Sequence, residues 1–208
     1  RDWSSDVCSS DLAGFELPLA MALASLARSQ PDPDALRISI LTIGVGSDVR
    51  ERLRAVAAPL ALNFVEMDSV VPEHAPVLKH FSTATYCRLW APALIPDPSA
   101  RMIYLDADIL VLADLRELAA LDMSDHPVCA ARSALLPHVS SAGALATWRD
   151  LGLDERAPYF NTGVLLIDTP RWLEEDVGMR TLHYVLEHEG LLGLPDQDAL
   201  NAVLAGRI

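Results

Sequence analysis

Two aspartates, Asp106 and Asp108, stand two positions apart directly after the apolar run at 102–105. The run predicts a buried strand, and in extended backbone residues i and i+2 point to the same face. Because neighbouring carboxylates repel each other, their convergence indicates a hard divalent cation with oxygen ligands, such as Mn²⁺ or Mg²⁺. The two aspartates also suit a solvated turn after a strand, and the spacing alone does not decide between these interpretations.

Other polar residues could bind phosphate or sugar oxygens. Arg88 carries a forked guanidinium that suits such oxygens, although a helix-surface arginine paired with an acid fits the sequence too. The amide of Asn161 can donate to and accept from sugar hydroxyls, and Gly163 lets backbone approach closely, while both also suit a tight turn. Asp196 follows Pro195, where an aspartate commonly caps a helix.

Alternating strand and helix patterns surround these residues. Apolar or β-branched runs predict strands over 37–43, 62–65, 102–105, 128–131 and 163–167, and 109–112 is a further apolar run. Helical patterns predict helices over 17–28, 47–57, 83–94, 171–175, 180–189 and 197–204. Pro92 is expected to bend or end the helix over 83–94. This alternation predicts an α/β fold with a mixed, mostly parallel central sheet flanked by helices.

The composition restricts the class of protein. With 208 residues, 51% of them hydrophobic, the chain fits one globular domain. Against 16 basic residues stand 29 acidic ones, and the net charge of −13 argues against electrostatic binding of nucleic acid. Three scattered cysteines favour a reducing compartment. No stretch approaches the roughly 18 to 20 apolar residues that span a bilayer.

Residues 1–12, RDWSSDVCSSDL, do not fit with the rest of the sequence. They lack helical or strand periodicity and end abruptly against a strongly patterned segment. Because the string resembles translated adaptor sequence, we interpret it as a non-native leader and assign the domain to residues 13–208. We expect this domain to be truncated at both ends.

Four segments carry the candidate residues: HFSTATYCRL at 80–89, YLDAD at 104–108, YFNTGVLLID at 159–168 and DQDALN at 196–201. In this order and spacing they resemble glycosyltransferase family 8, a retaining family that contains bacterial lipopolysaccharide galactosyl- and glucosyltransferases and glycogenin. The resemblance extends from about Gly14 to the C-terminus. It implies a GT-A type fold, which is an α/β fold that binds nucleotide sugars.

The resemblance also implies roles for individual residues in binding the donor. Asp106 and Asp108 would hold Mn²⁺ (or Mg²⁺) under the donor diphosphate, with Ala107 between them also in the donor site. Arg88 would face the donor as well. On the same basis we expect the chain to be a metal-dependent enzyme.

The downstream motifs would contact the sugar itself. By resemblance, Asn161 and Gly163 line the sugar site and Asp196 holds hydroxyls of the donor sugar. Gln197 would lie near the anomeric carbon, on the face opposite the leaving group, so Asp196 and Gln197 form the expected catalytic pair. Within the same motif, Asp198 is expected to serve packing and hydrogen bonding, as is Asn201.

The sequence departs from the family pattern at its two ends. Phe15 can stand for an aromatic residue that holds the nucleotide, but Leu12 occupies the position of an expected aspartate. Family members also carry a histidine metal ligand and a lysine well beyond the DQD motif, and the sequence stops before either position. We therefore expect the chain as given to be a poor enzyme.

The resemblance implies transfer of a hexose from a UDP-sugar to a saccharide or lipid-linked saccharide acceptor, with retention. A neutral amide is weakly basic, so front-face attack with the leaving phosphate as base is preferred over a covalent intermediate on Gln197. The expected location is cytoplasmic, with a peripheral contact at the inner membrane face through a missing C-terminal part. A nucleotidyltransferase of related fold and a non-catalytic sugar-binding module are the alternatives, and neither donor sugar nor acceptor is specified.

Overall fold

The computed structural model of the protein describes residues 16–67, 83–95 and 101–207. The α-helices are α1 (Glu16–Ser29), α2 (Ser47–Ala57), α3 (Cys87–Leu94), α4 (Leu115–Ala119), α5 (Thr169–Glu174), α6 (Val177–Glu187) and α7 (Pro195–Val203). The strands are β1 (Ile38–Thr42), β2 (Leu62–Glu66), β3 (Arg101–Leu105), β4 (Val128–Arg132) and β5 (Phe160–Asp168). Short 3₁₀ helices lie at Pro33–Ala35, Thr83–Tyr86 and Glu189–Leu191.

The described strands form one parallel pair and one antiparallel group. β1 pairs with β2 in parallel, whereas β5 lies between β3 and β4 and is antiparallel to both. The strand arrangement is therefore mixed, as predicted, but the pairings within the described ranges are not mostly parallel. Strands that are apolar on both faces suggested parallel pairing, and here the same burial arises because helices cover both faces of antiparallel strands.

The antiparallel strands separate two apolar cores. Along β3, Met102 and Tyr104 belong to one core, and Ile103 and Leu105 belong to the other, as the alternation of side chains in a strand requires. The first core contains side chains from α3, α5, α6 and α7, and the second contains side chains from α1, α2 and α4. This two-sided burial explains why the strands appear as continuous apolar runs in the sequence.

The predicted helices and strands are present, although several begin or end at other residues than predicted. Thr83–Tyr86 is a 3₁₀ helix that leads into α3, and α3 continues through Pro92 to Leu94. The apolar run at 109–112 is not a strand, and Leu112 within it is 85% exposed. The sequence analysis also missed α4, whose N-cap Asp114 accepts a hydrogen bond from the Arg116 N–H. Short elements of this kind carry too few residues to show a hydrophobic period.

Close packing of α6 against α3 depends on Gly178, because a Cβ at that position would lie 2.5 Å from the Leu89 carbonyl oxygen. We expect Gly178→Ala to lower the free energy of unfolding by about 1–3 kcal/mol, since a well-packed backbone contact has to shift. Gly190→Ala is the matched control, because a Cβ there would meet nothing within 4 Å. Urea denaturation of both variants tests this, and equal stabilities would contradict the tight contact.

Candidate active site

Arg88, in the first turn of α3, lies at the centre of a buried polar cluster. The residue is 6% exposed. Its Nη2 lies 3.0 Å from Asp106 Oδ1, and its Nε lies 3.1 Å from Asp196 Oδ2. Nη1 donates to the Thr162 carbonyl oxygen at 2.7 Å. Arg88 pairs with acids, as one interpretation of the sequence predicted, but it is not on the helix surface.

The turn after β3 carries both aspartates of the DAD motif. Asp106 follows the last residue of β3, and its N–H donates to the Gly163 carbonyl oxygen at 2.8 Å, so the pairing with β5 extends by one residue. Asp106 Oδ1 accepts from the Tyr104 hydroxyl at 2.9 Å and from Arg88. Asp108 lies in the turn and is exposed. Asp106 thus continues the pairing, whereas Asp108 lies beyond the strand. The i, i+2 argument from strand geometry therefore does not apply to the pair.

These two carboxylates fit a divalent cation in their chemistry. Oδ1 of Asp106 is occupied by Arg88 and Tyr104, whereas a Cβ at Gly163 would lie 3.0 Å from Oδ2. Glycine at 163 thus keeps space free beside that oxygen, and Asp108 offers a second carboxylate open to solvent. In the described ranges no three His, Cys, Asp or Glu residues come together as a metal-binding group. Two carboxylates alone do not complete the coordination of such a cation, so other oxygens would have to supply its remaining ligands.

Residues at the start of β5 lie between the turn after β3 and α7 and contact both. The strand begins at Phe160, earlier than predicted, so Asn161 and Gly163 lie within it and not in a turn before it. Asn161 Oδ1 accepts from the Gly163 N–H at 2.9 Å, and its Nδ2 lies 3.3 Å from Gln197 Oε1. Asn161 is exposed and Gly163 is buried. Both residues are next to groups of the other motifs, as their assignment to one site requires.

Asp196 lies in the first turn of α7 and is 4% exposed. The N-cap of this helix is Leu194, so the interpretation of Asp196 as the capping residue is wrong. Its Oδ2 lies 3.1 Å from Arg88 Nε and accepts from the Thr162 hydroxyl at 3.4 Å. The DQD motif and the DAD motif are thereby joined through one arginine.

Gln197 is 8% exposed and packs against the start of β5. Its Oε1 accepts from the Thr162 N–H at 3.1 Å, and its Nε2 donates to the Tyr159 hydroxyl at 3.1 Å. The side chain is thus held on both sides by hydrogen bonds, to Thr162 and Asn161 of β5 on one side and to Tyr159, just before that strand, on the other.

Asp198 and Asn201 have the structural roles that the sequence predicted. Asp198 Oδ2 accepts from the N–H groups of Gly193 and Leu194 at 2.8 and 3.0 Å. Asn201 makes two hydrogen bonds to the backbone of Phe160, each of 2.9 Å. These contacts fix α7 to the preceding loop and to β5.

The pKa values in this cluster are shifted by burial and by the charged groups that lie close by. Burial disfavours the guanidinium of Arg88, but Asp196, Tyr104 and Asp106 raise its pKa above the usual value, so it stays charged. Burial raises the pKa of Asp196, against the lowering effect of Arg88. Burial and Asp198 raise the pKa of Tyr159, which therefore keeps its proton at neutral pH. The cluster depends on Arg88 to hold two carboxylates close together.

One of the predicted donor residues, Ala107, does not add a side chain to this cluster. Ala107 is 6% exposed and packs in the core with α1, α2 and α4. Phe15 lies outside the described residues.

Two residues that the sequence analysis did not single out contribute to the site. Thr162 contacts Arg88, Asp196 and Gln197, mainly through its backbone, which no side-chain pattern shows. Tyr104 donates to Asp106, and its ring centroid lies 4.9 Å from the Arg88 guanidinium carbon. Tyr104 lies two residues before Asp106 in a predicted strand, and this spacing could have placed the two side chains on the same face.

Comparison with known proteins places this geometry in a family. The sequence model of Glycosyl transferase family 8 matches residues 13–208. The chain belongs to glycosyltransferase family 8. In family 8, General stress protein A of Bacillus subtilis is 32% identical over 185 residues, covering 86% of this chain and 62% of that protein. Lipopolysaccharide 1,3-galactosyltransferase of Salmonella typhimurium is 26% identical over 202 residues, covering 93% of this chain and 57% of that protein.

The fold of this family 8 chain is of the GT-A type, as the sequence predicted. The galactosyltransferase LgtC, solved with donor and acceptor sugar analogs, matches it with a TM-score of 0.81 and 25% identity. The match covers 97% of this chain and 71% of that one. Since the chain spans 62% and 57% of the lengths of the two relatives named above, its activity and substrates are the subject of a proposal.

Proposed function

We propose that the protein transfers a hexose from a UDP-sugar to a saccharide acceptor with retention at the anomeric carbon. The observation that carries this proposal is the joining of the DAD and DQD motifs by Arg88, which pairs with Asp106 and Asp196 in one buried cluster. Membership of family 8 supports a transferase over the nucleotidyltransferase and the sugar-binding module that the sequence left open. The relative named as lipopolysaccharide 1,3-galactosyltransferase supports a saccharide acceptor of that kind.

In this proposal the residues after β3 bind the diphosphate of the donor. Asp106, through Oδ2, and the exposed carboxylate of Asp108 would hold Mn²⁺ (or Mg²⁺). When bound, that cation would supply positive charge to offset the negative charge of the diphosphate. Arg88 keeps the Asp106 carboxylate oriented through Oδ1 and leaves the other oxygen for the cation. Its fixed positive charge also favours a donor that carries phosphates.

The residues of β5 and α7 bind the sugar. Asn161, which is exposed beside the cluster, hydrogen-bonds sugar hydroxyls, and buried Gly163 lets the donor approach the backbone. Asp196 accepts from a hydroxyl of the donor sugar, while Arg88 holds its Oδ2 in place.

Gln197 orients the anomeric centre without forming a bond to it, because a neutral amide oxygen is a weak nucleophile. The acceptor hydroxyl attacks the anomeric carbon from the face that the diphosphate leaves. The bond from that carbon to the diphosphate oxygen breaks as the bond to the acceptor oxygen forms. The proton of the acceptor moves to the leaving phosphate, so charge and atoms balance.

The compartment is part of the same proposal. Cys87 and Cys129 are both free, which supports a reducing, cytoplasmic environment. Within the part of the chain that the structure covers, no helix combines the length and the apolarity needed to cross a membrane.

The proposal predicts metal-dependent release of UDP. We expect the purified protein, although a poor enzyme, to release UDP slowly from UDP-glucose or UDP-galactose in the presence of Mn²⁺, and faster when a saccharide acceptor is present. Chelation by EDTA should stop the release and added Mn²⁺ should restore it, because the two carboxylates hold the cation weakly and exchangeably. Coupled detection of UDP measures the rate.

A parallel assay with UTP and hexose 1-phosphate distinguishes the alternatives. Pyrophosphate release in that assay, without UDP release from UDP-sugars, would favour a nucleotidyltransferase. A folded protein that releases neither product from these substrates would contradict the proposed transfer.

A further inference from the structure

The orientation of the Gln197 side chain is determined by groups that can only donate. A backbone N–H has no acceptor capacity, so the amide atom 3.1 Å from the Thr162 nitrogen is the oxygen Oε1. The Asn161 Nδ2 group lies 3.3 Å from the same atom. The oxygen therefore faces the strand, and the Nε2 group points the other way, toward Tyr159.

A second fixed donor set determines the direction of the hydrogen bonds on the Tyr159 side. The N–H groups of Gly193 and Leu194 donate to Asp198 Oδ2, and the Tyr159 hydroxyl donates to Asp198 Oδ1. With its own hydrogen directed to Asp198, the Tyr159 oxygen accepts from Gln197 Nε2 at 3.1 Å. The hydrogen bonds thus run in one direction from Gln197 through Tyr159 to Asp198.

We propose that Tyr159 and Asp198 are positioning residues that lock the Gln197 carboxamide, so that it meets the donor sugar through its second Nε2–H and not through Oε1. Oε1 already accepts from the donors of Thr162 and Asn161. Nε2 donates one of its two hydrogens to Tyr159, which leaves the other for the sugar. An N–H donor suits a sugar oxygen and cannot attack the anomeric carbon. The nature of the ligand rests on the proposed transferase function, whereas the lock itself does not.

An isosteric change reverses the direction of these bonds. In Asp198→Asn the amide oxygen has to face the N–H groups of Gly193 and Leu194, so the amide nitrogen faces Tyr159 and donates to it. The Tyr159 hydrogen then turns toward Gln197, where it opposes the Nε2 donor. Tyr159→Phe removes the hydroxyl altogether. Both variants should remove this restraint on the Gln197 carboxamide without changing the Gln197 residue itself.

The matched control is Tyr184→Phe. The Tyr184 hydroxyl also makes a partly buried hydrogen bond, and its partner is Thr147 instead of Gln197 or Asp198. The same atom is removed in both tyrosine variants, so general effects of losing a hydroxyl are matched.

The lock is tested directly by NMR of the glutamine side-chain amides in the uniformly ¹⁵N-labelled protein, with Gln197→Ala used to assign the Gln197 pair. We expect Tyr159→Phe and Asp198→Asn to shift this pair and to speed its exchange with water by about tenfold, since one hydrogen bond is lost. Tyr184→Phe should leave it unchanged. An unshifted Gln197 pair in Tyr159→Phe would overturn the lock whether or not the protein is active.

Kinetics test the effect on catalysis. We expect Tyr159→Phe and Asp198→Asn to lower kcat by about ten- to a hundredfold, as misplaced groups do, with the KM for the UDP-sugar changed less than about threefold. Combined with Gln197→Ala, Tyr159→Phe should cause no further loss, because it acts through Gln197. Additive losses would overturn the positioning role. An inactive wild type with the expected NMR shifts would instead contradict the proposed function and leave the lock supported.

Discussion

Arg88→Met is expected to lower the free energy of unfolding by about 3–5 kcal/mol at neutral pH, the range for one buried charge left without its partner. Arg88 is 6% exposed and pairs with both Asp106 and Asp196. Methionine fills a similar volume but leaves two carboxylates facing each other. UDP release should be lost together with stability, because the same arginine orients Asp106. Urea denaturation at pH 7 measures the first effect.

The loss of stability should depend on pH in a defined direction. Burial raises the pKa of Asp196 and Arg88 lowers it, so removing Arg88 raises that pKa further. A carboxyl whose pKa is raised by folding begins to destabilise the folded state as the pH rises above its unfolded-state pKa, and the full cost is reached above its folded-state pKa. The difference in the free energy of unfolding between variant and wild type should therefore be largest at neutral pH. It should shrink as the pH falls and Asp196 becomes protonated.

Two further variants separate the buried charge from other effects. Arg116→Met removes an exposed arginine that pairs with Asp114 at 2.6 Å, and it should cost at most about 1 kcal/mol. Adding Asp196→Asn to Arg88→Met removes one unpaired carboxylate and should recover part of the lost stability. An Arg88→Met protein as stable as the Arg116→Met control would show that the cluster is not held by this arginine.

The elements of the fold were predictable where a run of side chains carries a period or a cap. β3 appeared in the sequence as an apolar run because both of its faces contact cores. The direction in which β5 pairs with it was not predictable, since burial of both faces is the same for parallel and antiparallel neighbours. The short helix α4 was missed because a few residues do not define a period.

The site was predictable as a set of residues but not as a set of contacts. Asp106, Asp196 and Arg88 were singled out by residue type and by the family resemblance, and the structure brings them together. Nothing local in the sequence indicates that one guanidinium contacts both acids, because the three positions lie on different elements. The role of Thr162 was invisible for another reason, since its backbone N–H and carbonyl make two of its contacts.

The two aspartates of the DAD motif should respond differently to the same substitution. Asp106 has a carboxylate bonded by Arg88 and Tyr104, whereas Asp108 is exposed in the turn. Asp106→Asn should lower the free energy of unfolding by about 1.5–3 kcal/mol, the usual range for a hydrogen bond to a charged group. Asp108→Asn should change it by no more than about 0.5 kcal/mol, because it alters a surface side chain.

Both substitutions should nevertheless weaken Mn²⁺ binding and reduce UDP release, because each removes one of two charged ligands. Isothermal titration with Mn²⁺ in the presence of UDP measures binding apart from turnover, and denaturation of the same samples measures stability. Asp114→Asn, which changes a partly exposed carboxylate paired with Arg116 outside the cluster, controls for the loss of a negative charge. Normal Mn²⁺ binding by Asp108→Asn would show that Asp108 is not a metal ligand. Equal stability of the two variants would show that the Arg88–Asp106 pair does not stabilise the fold. The combination expected here is one variant that loses the metal alone and one that loses the metal and stability together, because in the proposed site the Asp106 carboxylate would serve the cation as well as the buried arginine.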